Sequence, residues 1–337
     1  MGEVLRGPAA RWGNWQRYDA ASMTHRLNLV LLVLFALVAL PYYWLFLDNP
    51  SRDVAPQPVR IAQLRTLADN LPGPHPAKVA VIISGWSREP GNFHAAGAGM
   101  KRRLLSSLSF RLDVPGSGPV VIDTGVIPQF AASPLQRAMP ERQRMIERNL
   151  REASLILATQ ETGDHLSGLA AFARTPDSAQ TMARVKLNSY QVPRGAGQDR
   201  IGWPDGLVLR PALTGAQPIA AAAGVVVIPA PGPSPGAQMV YVRLQDGREY
   251  LFAGEIAPFA VNYQELRVRS HFLCLWRAGQ DRAAVMRWLV TIAALRREAP
   301  GLIVVPGRDF EWIIDPKNGL RIEHVSASPS SPKPAGI

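Results

Sequence analysis

Asp164 and His165 stand side by side in the run Thr159-Gln160-Glu161-Thr162-Gly163-Asp164-His165, directly after the apolar stretch Leu155-Ile156-Leu157-Ala158. A carboxylate and an imidazole at the mouth of a strand are donor types that ligate a metal ion or move a proton. As a general base, His165 would need a nucleophile to activate, and the sequence offers no candidate for that part. The other histidines carry less: His94 reads as a loop or packing residue, His75 sits among prolines, His25 borders an apolar segment, and His271 and His324 stand apart from any motif. Cys274 is the only cysteine, which excludes an intramolecular disulfide and a thiolate zinc cluster. Its setting, Phe272-Leu273-Cys274-Leu275-Trp276, is that of a buried structural thiol.

The elements around these residues follow from hydrophobic period and turn chemistry. Val79–Ser84, Leu105–Leu112 and Val120–Ile122 read as strands, the last two joined across the turn cluster Pro115-Gly116-Ser117-Gly118. Pro140–Ala153 is an amphipathic helix with Met145, Ile146 and Leu150 on its apolar face and proline at its first position. A second helix is expected at His165–Ala173. Leu187–Pro218 is rich in Gly, Pro and polar residues and carries no clear period. Strands follow at Gly224–Ile228, Met239–Leu244 and Glu249–Phe252, with Asp246-Gly247 as a hairpin turn. Arg282–Arg297 is helical by the spacing of Val285, Trp288, Leu289 and Ile292, and Leu302–Val305 is a last strand. Two groups of strands separated by helices imply an α/β protein with two sheets packed face to face and helices outside.

Several pieces, in order over residues 77–315, resemble the signatures of the metallo-β-lactamase superfamily. Val120-Val121-Ile122-Asp123-Thr124-Gly125 is similar to its V-x-I-D-T-G strand and turn. Thr159–His165 is similar to T-H-x-H-x-D-H, and Leu166-Ser167-Gly168-Leu169 to the S-G-L that follows. Val225–Gly236 resembles the strand leading to P-G-H-T-P-G, Leu251–Glu255 the strand ending in G-D, and Val305-Pro306-Gly307-Arg308-Asp309 the closing P-G-H-D. The resemblance implies an αββα sandwich with its site at the edge where the two sheets meet.

It also implies two metal ions held by histidines and carboxylates from several loops. Carried over position by position, the first ion's histidines become Gln160, Thr162 and Pro233. Proline has no side-chain donor, and Gln and Thr are neutral ligands that zinc rarely takes. The second ion keeps Asp164 and His165, its bridging carboxylate becomes Glu255, and its last histidine becomes Arg308. A guanidinium has no lone pair to donate; it can instead pair with Asp164 or Glu255 and supply the charge a metal would. In the family the carboxylate at position 164 partners the metal-activated water, so Asp164 is the candidate catalytic residue. The reading is a catalytically inactive binding or scaffold domain without a resident cofactor. The alternative is a hydrolase keeping one zinc on Asp164, His165 and Glu255.

Residues 27–47 contain no charge and are long enough to cross a hydrocarbon core of about 30 Å. Arg6, Arg11, Arg17 and Arg26 precede them against Glu3 and Asp19, which under the positive-inside rule keeps residues 1–26 cytoplasmic. The segment is expected to be a retained signal anchor rather than a cleaved signal peptide, because its apolar core is long and no small-x-small site follows Leu47. Residues 48–76, with proline clusters at both ends and a short helical stretch around Ile61–Asn70 between them, read as a Pro-rich spacer, 77–322 as the metallo-β-lactamase-like domain, and 323–337 as a disordered tail. The expected location is the inner or plasma membrane, single-pass, with the domain on the extracytoplasmic side. Partners would be the membrane itself and a small molecule or membrane protein. The net charge of +11 comes from scattered arginines without aromatic interleaving, so nucleic acid is not an expected partner.

Overall fold

The computed structural model describes residues 15–130, 136–194, 201–276 and 280–324. Most of the expected N-terminal cytoplasmic segment, and the expected tail from residue 325 onward, lie outside the described residues.

The described residues open with α1 (Trp15–Tyr42), which ends in one π-helical turn, Tyr43–Leu47. Within it, Thr24–Leu47 forms a helix long and apolar enough to cross a membrane. Next come α2 (Ile61–Ala68), β1 (Lys78–Pro90), α3 (Gly91–His94), β2 (Arg102–Asp113), β3 (Val120–Ile122), β4 (Arg137–Ala138), α4 (Pro140–Glu152), β5 (Leu155–Leu157), α5 (Gly163–Phe172) and α6 (Ser178–Met182). The second half contributes β6 (Ile219–Ala222), β7 (Val225–Pro229), β8 (Gln238–Arg243), β9 (Glu249–Phe252), α7 (Ala260–Glu265), α8 (His271–Trp276), α9 (Arg282–Glu298), β10 (Ile303–Val305), α10 (Phe310–Ile313) and β11 (Arg321–Ile322).

One sheet runs β11-β1-β2-β3-β5, with β4 pairing on β1; the other runs β10-β9-β8-β7-β6. Period-2 alternation decides which side chains meet between them. Val120 and Ile122 of β3, Phe110 and Leu112 of β2, Val225 and Val227 of β7, and Tyr250 and Phe252 of β9 share one buried cluster. At its centre the rings of Phe110 and Phe252 lie 4.7 Å apart. The intervening residues face outward. Val121 and Ile156 pack under Ile146 and Leu150 of α4 and Leu166 and Leu169 of α5. Val226, Tyr241 and Leu251 pack under α2 and α9. The layers are therefore helix, sheet, sheet, helix, as the sequence implied.

The structure extends β1 well past Ser84. Its polar second half, Gly85–Pro90, pairs with Arg102–Ser107 after a register shift between Ile83 and Gly85. Residues 48–76, expected to be a spacer, instead lie on the domain. Val59, Ile61, Leu64 and Ala68 are buried in the outer core of the second sheet. Arg65 makes a two-point hydrogen-bonded pair with Glu249 at 2.7 and 2.8 Å, and Gln57 N donates to Thr291 Oγ1 at 2.8 Å.

Two parallel pairings position the site. β5 runs parallel to β3, with Ile122 opposite Leu157, and β10 runs parallel to β9, with Val305 opposite Phe252. All four strands therefore release their chains at one edge of the sandwich, where the loops carrying Asp123, Asp164-His165, Glu255 and Arg308 begin.

Candidate metal centre

Asp123 leaves β3 with φ of 60°, a left-handed conformation that Asp tolerates better than most residues. Its backbone N–H is held by Leu157 O at 2.9 Å. Its carboxylate accepts from Thr159 N and Thr159 Oγ1, both at 2.7 Å. Asp123 thus staples the loop after β3 to the loop after β5. The helix α5 then presses onto this staple. A Cβ at Gly168 would lie 1.9 Å from Thr124 O, so only glycine permits the approach. Thr124 N and Oγ1 donate to His165 O at 2.8 and 2.9 Å, which fixes the first turn of α5.

That turn carries the pair singled out by the sequence. Asp164 sits where the positive end of the helix favours a carboxylate, and Thr162 Oγ1 donates to its Oδ1 at 2.8 Å. His165 Nδ1 lies 3.0 Å from Asp123 Oδ2 and 3.1 Å from Thr159 Oγ1. With Nδ1–H directed at the Asp123 carboxylate, Nε2 carries the lone pair. This is how a carboxylate orients a metal-ligating imidazole. Nε2 is buried without a hydrogen-bond partner, 3.5 Å from Glu255 Oε1.

Glu255 and Arg308 arrive from the other sheet. The turns after β9 and β10 touch backbone to backbone: a Cβ at Gly307 would lie 2.2 Å from Gly254 O. This contact brings the next residue of each loop into one space. The Arg308 main chain is locked by Arg308 N to Pro258 O at 2.9 Å and by Ser106 N to its own carbonyl at 2.8 Å. Its guanidinium bridges the two carboxylates, Nη2 to Asp164 Oδ2 and Nε to Glu255 Oε1. Glu255 Oε2 takes a second guanidinium, Arg269 Nη2. Burial pulls Arg308 down to about 10, against the opposing pull of the Glu89 and Asp123 charges, so it stays a cation at neutral pH. Glu89 itself pairs with the buried His94, Oε2 to Nε2 at 2.8 Å.

The donor atoms of Asp164, His165 and Glu255 all lie within 4.8 Å of one another, so these three residues could hold a metal ion. The two carboxylates, however, are already engaged by guanidinium groups. A divalent cation between them would have to displace Arg308 or sit beside its fixed positive charge. A zinc ion on these three donors would therefore require Arg308 to leave its observed rotamer. Of the other expected positions, Thr162 is spent on Asp164 and Gln160 joins a polar bridge between loops. Gln160 Nε2 donates to Ser234 Oγ at 3.0 Å, and Glu161 accepts from Ser234 Oγ at 2.7 Å and Gly236 N at 2.8 Å. Pro233 is buried in the same loop.

The structure therefore gathers Asp164, His165, Glu255 and Arg308, as the motif order implied. It adds Arg269, Asp123 and the Glu89–His94 pair, to which the sequence analysis gave no role at the site. Arg269 lies in an irregular stretch with no motif around it. Asp123, within the recognised V-I-D-T-G run, was the one with a signal.

Comparison with solved structures agrees with this architecture. A quorum-quenching N-acyl homoserine lactone lactonase superposes with a TM-score of 0.54 and 16% identity, over 71% of this chain and 95% of its own. A quorum-quenching N-acyl homoserine lactone hydrolase gives 0.55 and 15%, over 72% and 96%. A further lactone hydrolase, solved with N-hexanoyl-L-homoserine at its catalytic metal centre, gives 0.54 and 15%, over 71% and 95%. No family model and no curated protein matches the sequence. The chain has the metallo-β-lactamase fold.

Proposed function

We propose that this is a membrane-anchored protein of the metallo-β-lactamase fold whose site serves binding or scaffolding rather than hydrolysis. The observation that carries the reading is Arg308, whose guanidinium bridges Asp164 and Glu255 where the resemblance places a metal-ligating histidine. Losing the side-chain donors at Gln160, Thr162, Pro233 and Arg308 together removes most of the affinity that a two-ion site requires. A metal held here would supply an activated water with a pKa near 7. Without one, Asp164 is a carboxylate committed to an ion pair, and the hydroxyl beside His165, that of Thr159, is tied up donating to Asp123 Oδ2.

Elemental analysis of the purified full chain and thermal unfolding with and without a strong chelator test the reading. The expected result is substoichiometric zinc and an unchanged melting temperature. Stoichiometric zinc with a large chelator-induced drop overturns it. Arg308→His should raise zinc affinity, because it removes the competing cation and returns a donor next to Asp164, His165 and Glu255.

One observation favours a second reading, a hydrolase using a single metal. His165 is oriented by Asp123, and its buried Nε2 makes no hydrogen bond and faces Glu255 Oε1 at 3.5 Å, an arrangement suited to ligating a metal. For this reading to hold, added zinc must bind the unmodified chain and Asp164→Ala must abolish that binding.

A further inference from the structure

The end of the anchor is built into the domain. Phe46 packs on Phe93 at 6.0 Å and Phe272 at 5.1 Å between ring centroids, and Trp44 stacks on His271 at 4.6 Å. Gly97 N donates to Phe46 O at 2.9 Å. The Asn49 side chain reaches Ala96 O at 3.3 Å and accepts from Val268 N at 3.0 Å. Asp48 is held by His271 at 2.9 Å and Arg282 at 3.2 Å. There is no free tether here: the helix passes straight into α3 and α8, so the domain face around its exit is fixed relative to the helix axis.

That face carries apolar side chains which the domain does not use. Leu275 on α8 is 66% exposed, Met100 in the loop after α3 is 53% exposed, and Trp44 is 49% exposed. Lys101 and Arg102 follow Met100 and are also exposed. Apolar and aromatic tips flanked by cations are the composition of a surface that sinks into the headgroup region of an anionic bilayer.

We propose that this face, Trp44, Met100, Leu275 and the cations Lys101 and Arg102, is a membrane-docking surface that seats the domain on the bilayer rather than suspending it. The occupant is the lipid surface, because the face is continuous with a helix of membrane-spanning length and ends in the residues through which that helix leaves the bilayer. The inference rests on the anchor reading above. It has a consequence for the candidate site: Arg269, which pairs with Glu255, is two residues from His271, which stacks on Trp44. One short stretch of chain, Arg269 to His271, thus links the docked face to the candidate site.

The test uses the full chain in vesicles of phosphatidylcholine with or without phosphatidylglycerol, in a Cys274→Ser background. Single cysteines carry a nitroxide at Leu275→Cys and Met100→Cys, with Leu37→Cys inside the anchor and Val208→Cys, 82% exposed, as controls. Collision with oxygen, which partitions into lipid, is compared with collision with a water-soluble nickel chelate. Labels at 100 and 275 should favour oxygen several-fold over the label at 208, more strongly with phosphatidylglycerol present. If the label at 37 is lipid-exposed while those at 100 and 275 behave like 208, the docking surface is overturned and the face awaits a protein. If the label at 37 is itself water-exposed, the anchor reading fails instead. Equal immersion with and without phosphatidylglycerol overturns the part assigned to Lys101 and Arg102.

Discussion

At the scale of residues, the site is a buried ion network in which Arg308 and Arg269 oppose Asp164 and Glu255. Breaking a buried pair by removing one partner costs about 3–5 kcal/mol, because the other charge is left unpaired in low dielectric. Arg308→Leu should cost about that much, read as a fall in melting temperature and in denaturant midpoint at neutral pH. Asp164 suffers more than Glu255, since Arg269 still holds the latter. The double variant Arg308→Leu with Asp164→Leu should recover part of the loss, because a buried pair exchanged for apolar groups is often nearly neutral. A parent-like Arg308→Leu would show the guanidinium to be dispensable. Asp164, His165, Glu255 and Arg308 were legible in the sequence because each occupies a fixed place in an ordered motif. Arg269 was not. Its role comes from how the stretch between α7 and α8 is held, Val268 N by Asn49 Oδ1 and Ser270 N by Phe93 O, and no local period or turn residue encodes that.

At the scale of elements, strand positions were read well wherever apolar residues cluster between turns: β3 and β9 match their expected spans residue for residue. The polar second half of β1 has no such signal: Gly85–Pro90 shows no apolar alternation and is strand because β2 pairs along it and β4 pairs with Gly85 and Trp86. In residues 48–76 the helix expected around Ile61–Asn70 is present as α2, but it packs into the domain instead of bridging a spacer. The segment's prolines describe backbone stiffness and not burial, while Ile61, Leu64 and Ala68 share one helical face that the core covers. Leu64→Ala should therefore destabilise the domain by about 2–5 kcal/mol, as for a core leucine, whereas a true spacer would tolerate it. Glu249 ties the same segment to β9. Burial pushes its carboxylate up, but hydrogen bonds from Arg65 and Tyr241 outweigh that and hold it below its ordinary value. A carboxylate depressed in the folded state adds stability above its unfolded pKa and loses it as pH falls through the folded one. Glu249→Gln should cost about 1–2 kcal/mol at pH 7, moderated because Arg65 is 43% exposed. The gap to the parent should close as pH drops below the usual carboxylate range, which melting curves taken across acidic pH would show.

At the scale of the whole molecule, what matters is whether the N-terminal helix is kept. Cleavage after Leu47 would remove Phe46 from between Phe93 and Phe272, strip Trp44 from His271, and leave the Gly97 N–H without its acceptor. A cleaved chain would thus expose an aromatic cluster that the helix end now covers. Deleting a large buried aromatic costs about 3–5 kcal/mol, and Phe46, being partly exposed at the helix end, should lie toward the lower figure. If the helix is the proposed anchor, the same contacts make orientation consequential, since the domain would follow the C-terminal end of the helix. Arg6, Arg11, Arg17 and Arg26 before the helix favour an N-terminus held in the cytoplasm. A reporter that works only outside the cytoplasm, fused after Ile337, should be active, and N-terminal sequencing of the membrane-bound protein should begin at the start of the chain. A product starting near Asp48, released from the membrane and as stable as the full chain, would mean that the packing around Phe46 contributes nothing and that the helix is only an export signal.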